Sequence, residues 1–183
     1  RQRSELENAA ILMTDLEVDD PRDLIPVLGT CVKMGIENLV IVLRKMSDVA
    51  VGMLLMNREK GRINVDAIGA KTPGASTTDQ RNALMDMAVL TGGRPLVRAA
   101  GDSIRDIKPM HLGRARRVWA DRRNLGIIGG KGNPRQLREY IAHLRELHAR
   151  TSDARDREDL RERIGKLLGG SATLRVGGIT KTE

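Results

Sequence analysis

The chain has 183 residues, 40% of them hydrophobic, and a formal net charge of +8. Its length and apolar content are typical of one folded domain, and they argue against wholesale disorder and against two full-sized domains. The single cysteine excludes an internal disulfide, and no apolar run reaches the roughly 18 residues of a membrane span. We therefore expect a cytoplasmic chain that is not embedded in a membrane.

Apolar runs and helical patterns alternate along the first half of the chain. Runs that are apolar throughout are typical of strands covered on both faces of a sheet. They predict strands over residues 9–13 and 39–43, and residues 64–68 (Asn-Val-Asp-Ala-Ile) are read as a further strand. Helix-forming stretches behind a capping residue predict helices over residues 24–34 (capped by Asp23), 49–59 (capped by Ser47 or Asp48) and 79–90.

The second half predicts short strands and two long helices. The strands cover residues 96–97, 117–120, 125–128 and 172–176, with a hairpin turn at residues 121–124. Asn133 and Pro134 begin the first long helix, and residues 151–153 separate it from the second. The helices carry the apolar stripes Leu137, Ile141, Leu144, Leu147 and Leu160, Ile164, Leu167, Leu168. These stripes indicate an antiparallel helix pair on a sheet, and the chain as a whole is α/β.

Two predicted helices are apolar beyond a single stripe. On the helix over residues 49–59, Ala50, Met53 and Leu54 share one face, whereas Val51, Leu55 and Met56 point elsewhere. The helix before it repeats this pattern. Its core stripe consists of Leu24, Val27 and Cys31. A second apolar set lies to the side of that stripe and consists of Ile25, Leu28 and Val32. A helix that is apolar on all sides is either fully buried or presents a binding surface, and both readings stay open here.

No group of residues has the spacing of a catalytic or metal site. His143 and His148 are five residues apart and do not share a helix face, and we expect them and His111 at the surface or at its edge. Residues 129–132 lack the full phosphate-loop pattern and are read as a helix entry. The densest basic region lacks the aromatics of a single-strand binder and consists of Arg114, Arg116, Arg117, Arg122 and Arg123. We expect no enzyme activity, metal or cofactor in this chain.

Several segments, in order, resemble one family. They include residues 23–28 with an early proline and a closing Gly35, residues 71–74 (Lys-Thr-Pro-Gly), and residues 88–93 (Ala-Val-Leu-Thr-Gly-Gly). Residues 112–118, 151–163 and 166–170 continue the series. Together they are similar to the apical, polypeptide-binding domain of GroEL-type group I chaperonins, over nearly the whole chain.

The resemblance implies a chaperone module within an ATP-dependent protein-folding machine. Residues 1–176 would be the apical domain, and residues 177–183 the start of the intermediate domain, with the hinge at Gly177 and Gly178. In the family, two exposed helices form an apolar groove that binds non-native polypeptide and the co-chaperonin loop. Carried over by position, the groove residues are Ile25, Leu28, Val51, Leu55 and Met56, and Leu54 belongs to the core.

The resemblance also implies a parent that is longer at both ends, forms a ring and binds ATP and Mg²⁺ outside this segment. We expect the segment alone to be monomeric. Two features depart from the family. Its Phe-Gly is replaced here by Ala75-Ser76-Thr77-Thr78, and this chain is strongly basic whereas the family is usually acidic. An alternative is therefore a divergent chaperonin-like protein whose basic surface binds nucleic acid or an acidic partner.

Overall fold

The computed structural model describes residues 3–60 and 63–176. The predicted hinge residues Gly177 and Gly178 lie outside the described residues. The strands are β1 (Ser4–Met13), β2 (Glu17–Val18), β3 (Asn38–Leu43), β4 (Lys45–Met46), β5 (Asp66–Lys71), β6 (Leu112–Ala120), β7 (Asn124–Gly130) and β8 (Ala172–Arg175). The helices are α1 (Ile25–Lys33), α2 (Asp48–Lys60), α3 (Thr77–Thr91), α4 (Pro134–Arg150) and α5 (Ala154–Leu168).

Six strands form one mixed sheet in the order β5-β3-β1-β6-β7-β8. β5, β3 and β1 are parallel, whereas β6, β7 and β8 each run antiparallel to the strand before them in that order. β2 and β4 pair separately as a short parallel ribbon. The predicted α/β class is confirmed, and β5 and β8 are the two edges of the large sheet.

Alternating side chains divide the core into two halves, one on each face of the sheet. On β1, Ile11 and Met13 belong to the half that contains α3, α4 and α5. Ala10 and Leu12 belong to the half that contains α1 and α2. We call these the α3–α5 face and the α1–α2 face. The strands therefore carry apolar side chains on both sides, as their unbroken apolar runs predict.

The first helix begins differently from the prediction. Asp20, not Asp23, supplies the cap, because its carboxylate accepts the N–H of Arg22 at the start of a 3-10 turn, Pro21–Leu24. α1 then starts at Ile25 without a side-chain cap. The carboxylate of Asp23 instead binds the guanidinium of Arg105. The next helix follows the prediction, since the Ser47 hydroxyl accepts the N–H of Ala50.

Two predicted strands are displaced. Residues 64 and 65 are not part of β5, because the Asn57 side chain accepts the N–H of Ile63 and donates to the carbonyl of Val65, which holds this stretch as a loop. Residues 96–97 do not form a strand: Leu96 makes one isolated bridge with Thr14. The N–H of Val97 is taken by the carboxylate of Asp102, which turns the chain away from the sheet.

The two long helices pack against each other as an antiparallel pair. Arg157 donates to the carbonyl of His148, and Arg163 lies against Tyr140, so residues further along α5 meet residues further back on α4. Ile141, Leu144 and Leu167 are buried under this pair. Leu147 and Leu168, which the predicted stripes also contain, are exposed.

A buried polar cluster joins this pair to α3. The Asp86 carboxylate accepts two hydrogen bonds from Arg163, both at 2.9 Å, and one from the Tyr140 hydroxyl at 2.7 Å. Burial and the neighbouring Asp86 carboxylate raise the pKa of Tyr140 well above its ordinary value. Both oxygens of Asp86 are satisfied, so the cluster holds α3, α4 and α5 in one arrangement.

Candidate functional site

α2 exposes a row of large apolar side chains. Val51 is 40% exposed, and Leu55 and Met56 are each 51% exposed. On the adjoining, core-facing side of the same helix, Ala50 is fully buried and Leu54 is 4% exposed. The helix is thus anchored by one face while its other face is exposed to solvent, so the first of the two readings, full burial, does not hold.

α1 contributes less to this surface than the sequence predicts. Ile25 is 60% exposed, but Leu28 is only 2% exposed. The prediction that Leu28 lies off the core is wrong. It sits four residues after Leu24 and beside Val27, on the stripe that enters the core, and Ile104 belongs to the same buried cluster. Four of the five predicted site residues therefore lie at the surface, and Leu28 lies beneath it.

The residues of α2 line a cavity with the edge of the sheet. A cavity of about 480 Å³ is bounded by Val51, Leu54 and Leu55 on one side and by Met46 and β5 on the other. Ile25 and Leu28 are not part of its lining. The sequence analysis missed the contribution of β5, because its position at a sheet edge depends on strand order, which no local pattern reveals.

A second cavity, of about 820 Å³, lies between α3, α5 and β8. Its floor is apolar and includes Met87 and Leu167, and it reaches the Asp86–Arg163 pair. Its rim mixes acidic and basic side chains, with Asp159 and Arg155 on the same helix. Across the described residues, no three His, Cys, Asp or Glu side chains come close enough together to hold a metal ion.

Two residues with reactive side chains are buried in structural positions. Cys31 is fully buried, and burial raises the pKa of its thiol to about 11, so it is protonated at neutral pH. His111 is also buried, contrary to the surface position that the sequence predicts. Its Nδ1 accepts the N–H of Lys108 at 2.8 Å, and burial lowers the pKa of its imidazole.

The basic region is partly neutralised by the sheet itself. Arg117 lies 3.0 Å from the carboxylate of Glu5 and 3.3 Å from that of Glu7. Arg116, Arg122 and Arg123 are exposed, and no carboxylate of the described residues pairs with them. Within the described residues, Arg117 is thus the one arginine of this region that pairs with a carboxylate, and Arg114 donates to the Asn8 side chain.

No family model matches the chain. Its fold is similar to that of the chaperonin gp146 from the bacteriophage EL 2 (Pseudomonas aeruginosa), in a crystal structure obtained in the presence of ATP-BeFx. The TM-score is 0.62 at 16% sequence identity, over 98% of this chain and 35% of that chain. The present chain thus has a chaperonin-like fold and spans about a third of the phage protein. None of its described helices has the length and apolar content to cross a membrane.

Proposed function

We propose that this chain is a polypeptide-binding module of a chaperonin, and that it captures non-native proteins on the apolar surface of α2. The observation that carries the proposal is the exposure of Val51, Leu55 and Met56 on a helix whose other face is firmly buried. The chaperonin-like fold supports the same function. Within the family resemblance, this module corresponds to the apical domain.

Apolar burial suits a receptor that must accept many sequences. It contributes about 25 cal/mol per Å² of buried apolar surface and requires no particular direction of approach. Met56 adds a flexible, polarisable side chain that can adapt to different clients. Ile25 would extend the contact surface onto α1, whereas Leu28 would support α1 from below and not touch the client.

The rest of the proposal concerns the longer protein. By the resemblance, the same surface would bind the loop of a co-chaperonin, and the parent would form a ring that binds ATP and Mg²⁺ in another domain. Movement of this module would occur about Gly177 and Gly178. We expect the isolated chain to be monomeric in light scattering and to show no saturable ATP binding in calorimetry.

The direct test is binding of a permanently unfolded protein to the isolated chain. Reduced, carboxymethylated lactalbumin is a suitable probe, measured by fluorescence anisotropy. Replacing Val51 and Leu55 together by Ser should weaken its affinity about tenfold or more, because two apolar contacts are lost. Leu168→Ser is the matched control, since Leu168 is a leucine 58% exposed on the far helix pair.

The control distinguishes binding at α2 from nonspecific binding by any exposed apolar side chain. Leu168→Ser should leave the affinity of the unfolded probe within about twofold of the unmodified chain. If the two variants lose affinity equally, or if the unmodified chain does not bind the probe, α2 is not a capture surface.

A further inference from the structure

Among the described residues, one edge of the large sheet lies open next to α2 along β5, and directly after β5 the chain bridges from Pro73 and Gly74 to Val176. β5 ends the strand order, and within the described residues it pairs only with β3. The N–H of Asp66 donates to Glu37 and the N–H of Thr72 donates to Leu43, so the even-numbered residues of β5 face β3. The backbone N–H and C=O groups of the odd-numbered residues therefore point to the open side.

The accessible part of this edge is short. Ala67 is only 1% exposed, whereas Gly69 and Lys71 are exposed. Gly69 has no side chain, and a Cβ there would lie 3.5 Å from the Cε methyl group of Met46, at ordinary contact distance. Two residues thus offer two N–H groups and two carbonyls to an incoming chain.

The stripe of α2 that faces this edge is apolar except for Arg58. Val51, Leu54, Leu55 and Arg58 are spaced three and four residues apart, so they share one side of the helix, and all of them line the cavity beside β5. Leu54 is buried, but Val51 and Leu55 are about half exposed. A strand added to β5 would lie about 4.8 Å beyond it, where its side chains on this face could contact Val51 and Leu55.

The charge of the edge is positive. Lys45 and Lys71 line the same cavity and are exposed, and no carboxylate of the described residues lies within ion-pair distance of them. Arg58 is already paired, with its Nε 2.6 Å from Asp66 Oδ1. An acidic side chain on the bound segment would therefore complement Lys45 and Lys71.

We propose that the client segment binds in extended form as an additional strand on β5, with apolar side chains against Val51 and Leu55 and an acidic residue beside Lys71. This inference rests on the proposed function and specifies how the client is held. Backbone hydrogen bonds would supply affinity without reading sequence, and the apolar stripe would select alternating apolar segments. The occupant is thus an acidic, strand-forming stretch of a non-native protein.

Amide hydrogen exchange measured by NMR on the ¹⁵N-labelled chain tests this mode directly. The N–H groups of Gly69 and Lys71 should exchange quickly in the free chain and about tenfold more slowly when carboxymethylated lactalbumin saturates it. The N–H groups of Ile68 and Ala70 serve as internal controls, since β3 already protects them. Binding that shifts the methyl signals of Val51 and Leu55 but leaves Gly69 and Lys71 unprotected overturns strand addition and leaves the proposed function intact.

A pair of variants gives a second readout. Gly69→Pro removes the outward N–H at a position where an edge strand tolerates proline, and it should weaken probe binding several-fold. Gly69→Ala keeps the N–H and should bind normally. Equal affinity of the two variants, with thermal melting showing both folded, contradicts the proposal. Protection of Gly69 that rises with protein concentration in the absence of probe would instead mean that a second copy occupies the edge, and it also contradicts the proposal.

Discussion

The two faces of the central sheet differ in how completely the helices that cover them bury their apolar side chains. On the α3–α5 face, Leu84, Met87 and Leu90 of α3 are each 2% exposed or less, and a hydrogen-bonded ion pair ties three helices together. On the α1–α2 face, a helix with an equally apolar sequence leaves Val51 and Leu55 in contact with solvent. Stability alone favours the first arrangement, and the second is the arrangement expected if the exposed side chains of α2 serve the proposed binding function.

Exposed apolar residues also occur on the α3–α5 face, but they are scattered. Met85 is 47% exposed on α3 and Leu168 is 58% exposed on α5. Single exposed side chains of this kind are normal on any folded protein. The distinguishing feature of α2 is that its exposed residues follow one another along the helix and lie beside an apolar cavity.

The largest effect on stability is expected from the ion pair of the α3–α5 face. Asp86→Ala should reduce the free energy of unfolding by about 3–5 kcal/mol, because it leaves the largely buried guanidinium of Arg163 without its partner. Tyr140→Phe removes one hydrogen bond and should cost about 1 kcal/mol. Urea unfolding measures both. If Asp86→Ala lowers the free energy of unfolding by less than Tyr140→Phe does, the cluster does not hold this face together.

The next largest effect separates two neighbouring leucines on α2. Leu54→Ser should cost about 2–4 kcal/mol in the free energy of unfolding, since it removes a buried side chain and buries a hydroxyl. Leu55→Ser should change the free energy of unfolding by no more than about 0.5 kcal/mol. Thermal or urea unfolding compares them. If both destabilise the chain equally, α2 is buried on both sides in solution and the comparison between the faces fails.

Much of this fold could be predicted from local patterns, but the exposed apolar surface of α2 and its surroundings could not be placed completely. Unbroken apolar runs predicted β1 and β3, and the Asn133-Pro134 pair predicted the start of α4. Helical spacing also separated Leu54 from Leu55. Helical spacing gave the wrong position for Leu28, because the burial of this side chain depends on the chain around Ile104, more than 70 residues away in the sequence.

The role of β5 illustrates what local sequence leaves out. The Asn57 side chain sets where this strand begins, and strand order makes it an edge. Both features depend on contacts between separate parts of the chain, so alternation of apolar residues cannot reveal them. His111 was misplaced for a similar reason, because its imidazole is buried by tertiary packing and bound to the backbone of Lys108.

A smaller effect is expected from pH. Burial lowers the pKa of His111, the nearby Arg94 and Lys108 cations add to this, and the Asp102 carboxylate acts in the opposite direction. Because the unfolded chain binds this proton more readily, the stabilising contribution is complete above the ordinary pKa of about 6.5 and is lost as the pH falls below it. His111→Gln should flatten the dependence of the urea midpoint between pH 7 and 5. An unchanged slope would mean that His111 titrates normally in the folded chain.

The salt dependence of client binding distinguishes apolar capture on α2 from electrostatic binding most directly. Apolar capture on α2 should depend weakly on ionic strength, whereas binding of DNA through Arg116, Arg122 and Arg123 must release counterions and weaken steeply as salt rises. We therefore predict that carboxymethylated lactalbumin loses no more than about fivefold in affinity between low and moderate salt, because pairs with the exposed Lys45 and Lys71 contribute little. We also predict that Leu55→Ser reduces this binding and that any DNA binding fades by physiological salt. Tight DNA binding at physiological salt, with no binding of the unfolded protein, would contradict the proposal that this chain captures non-native proteins on α2.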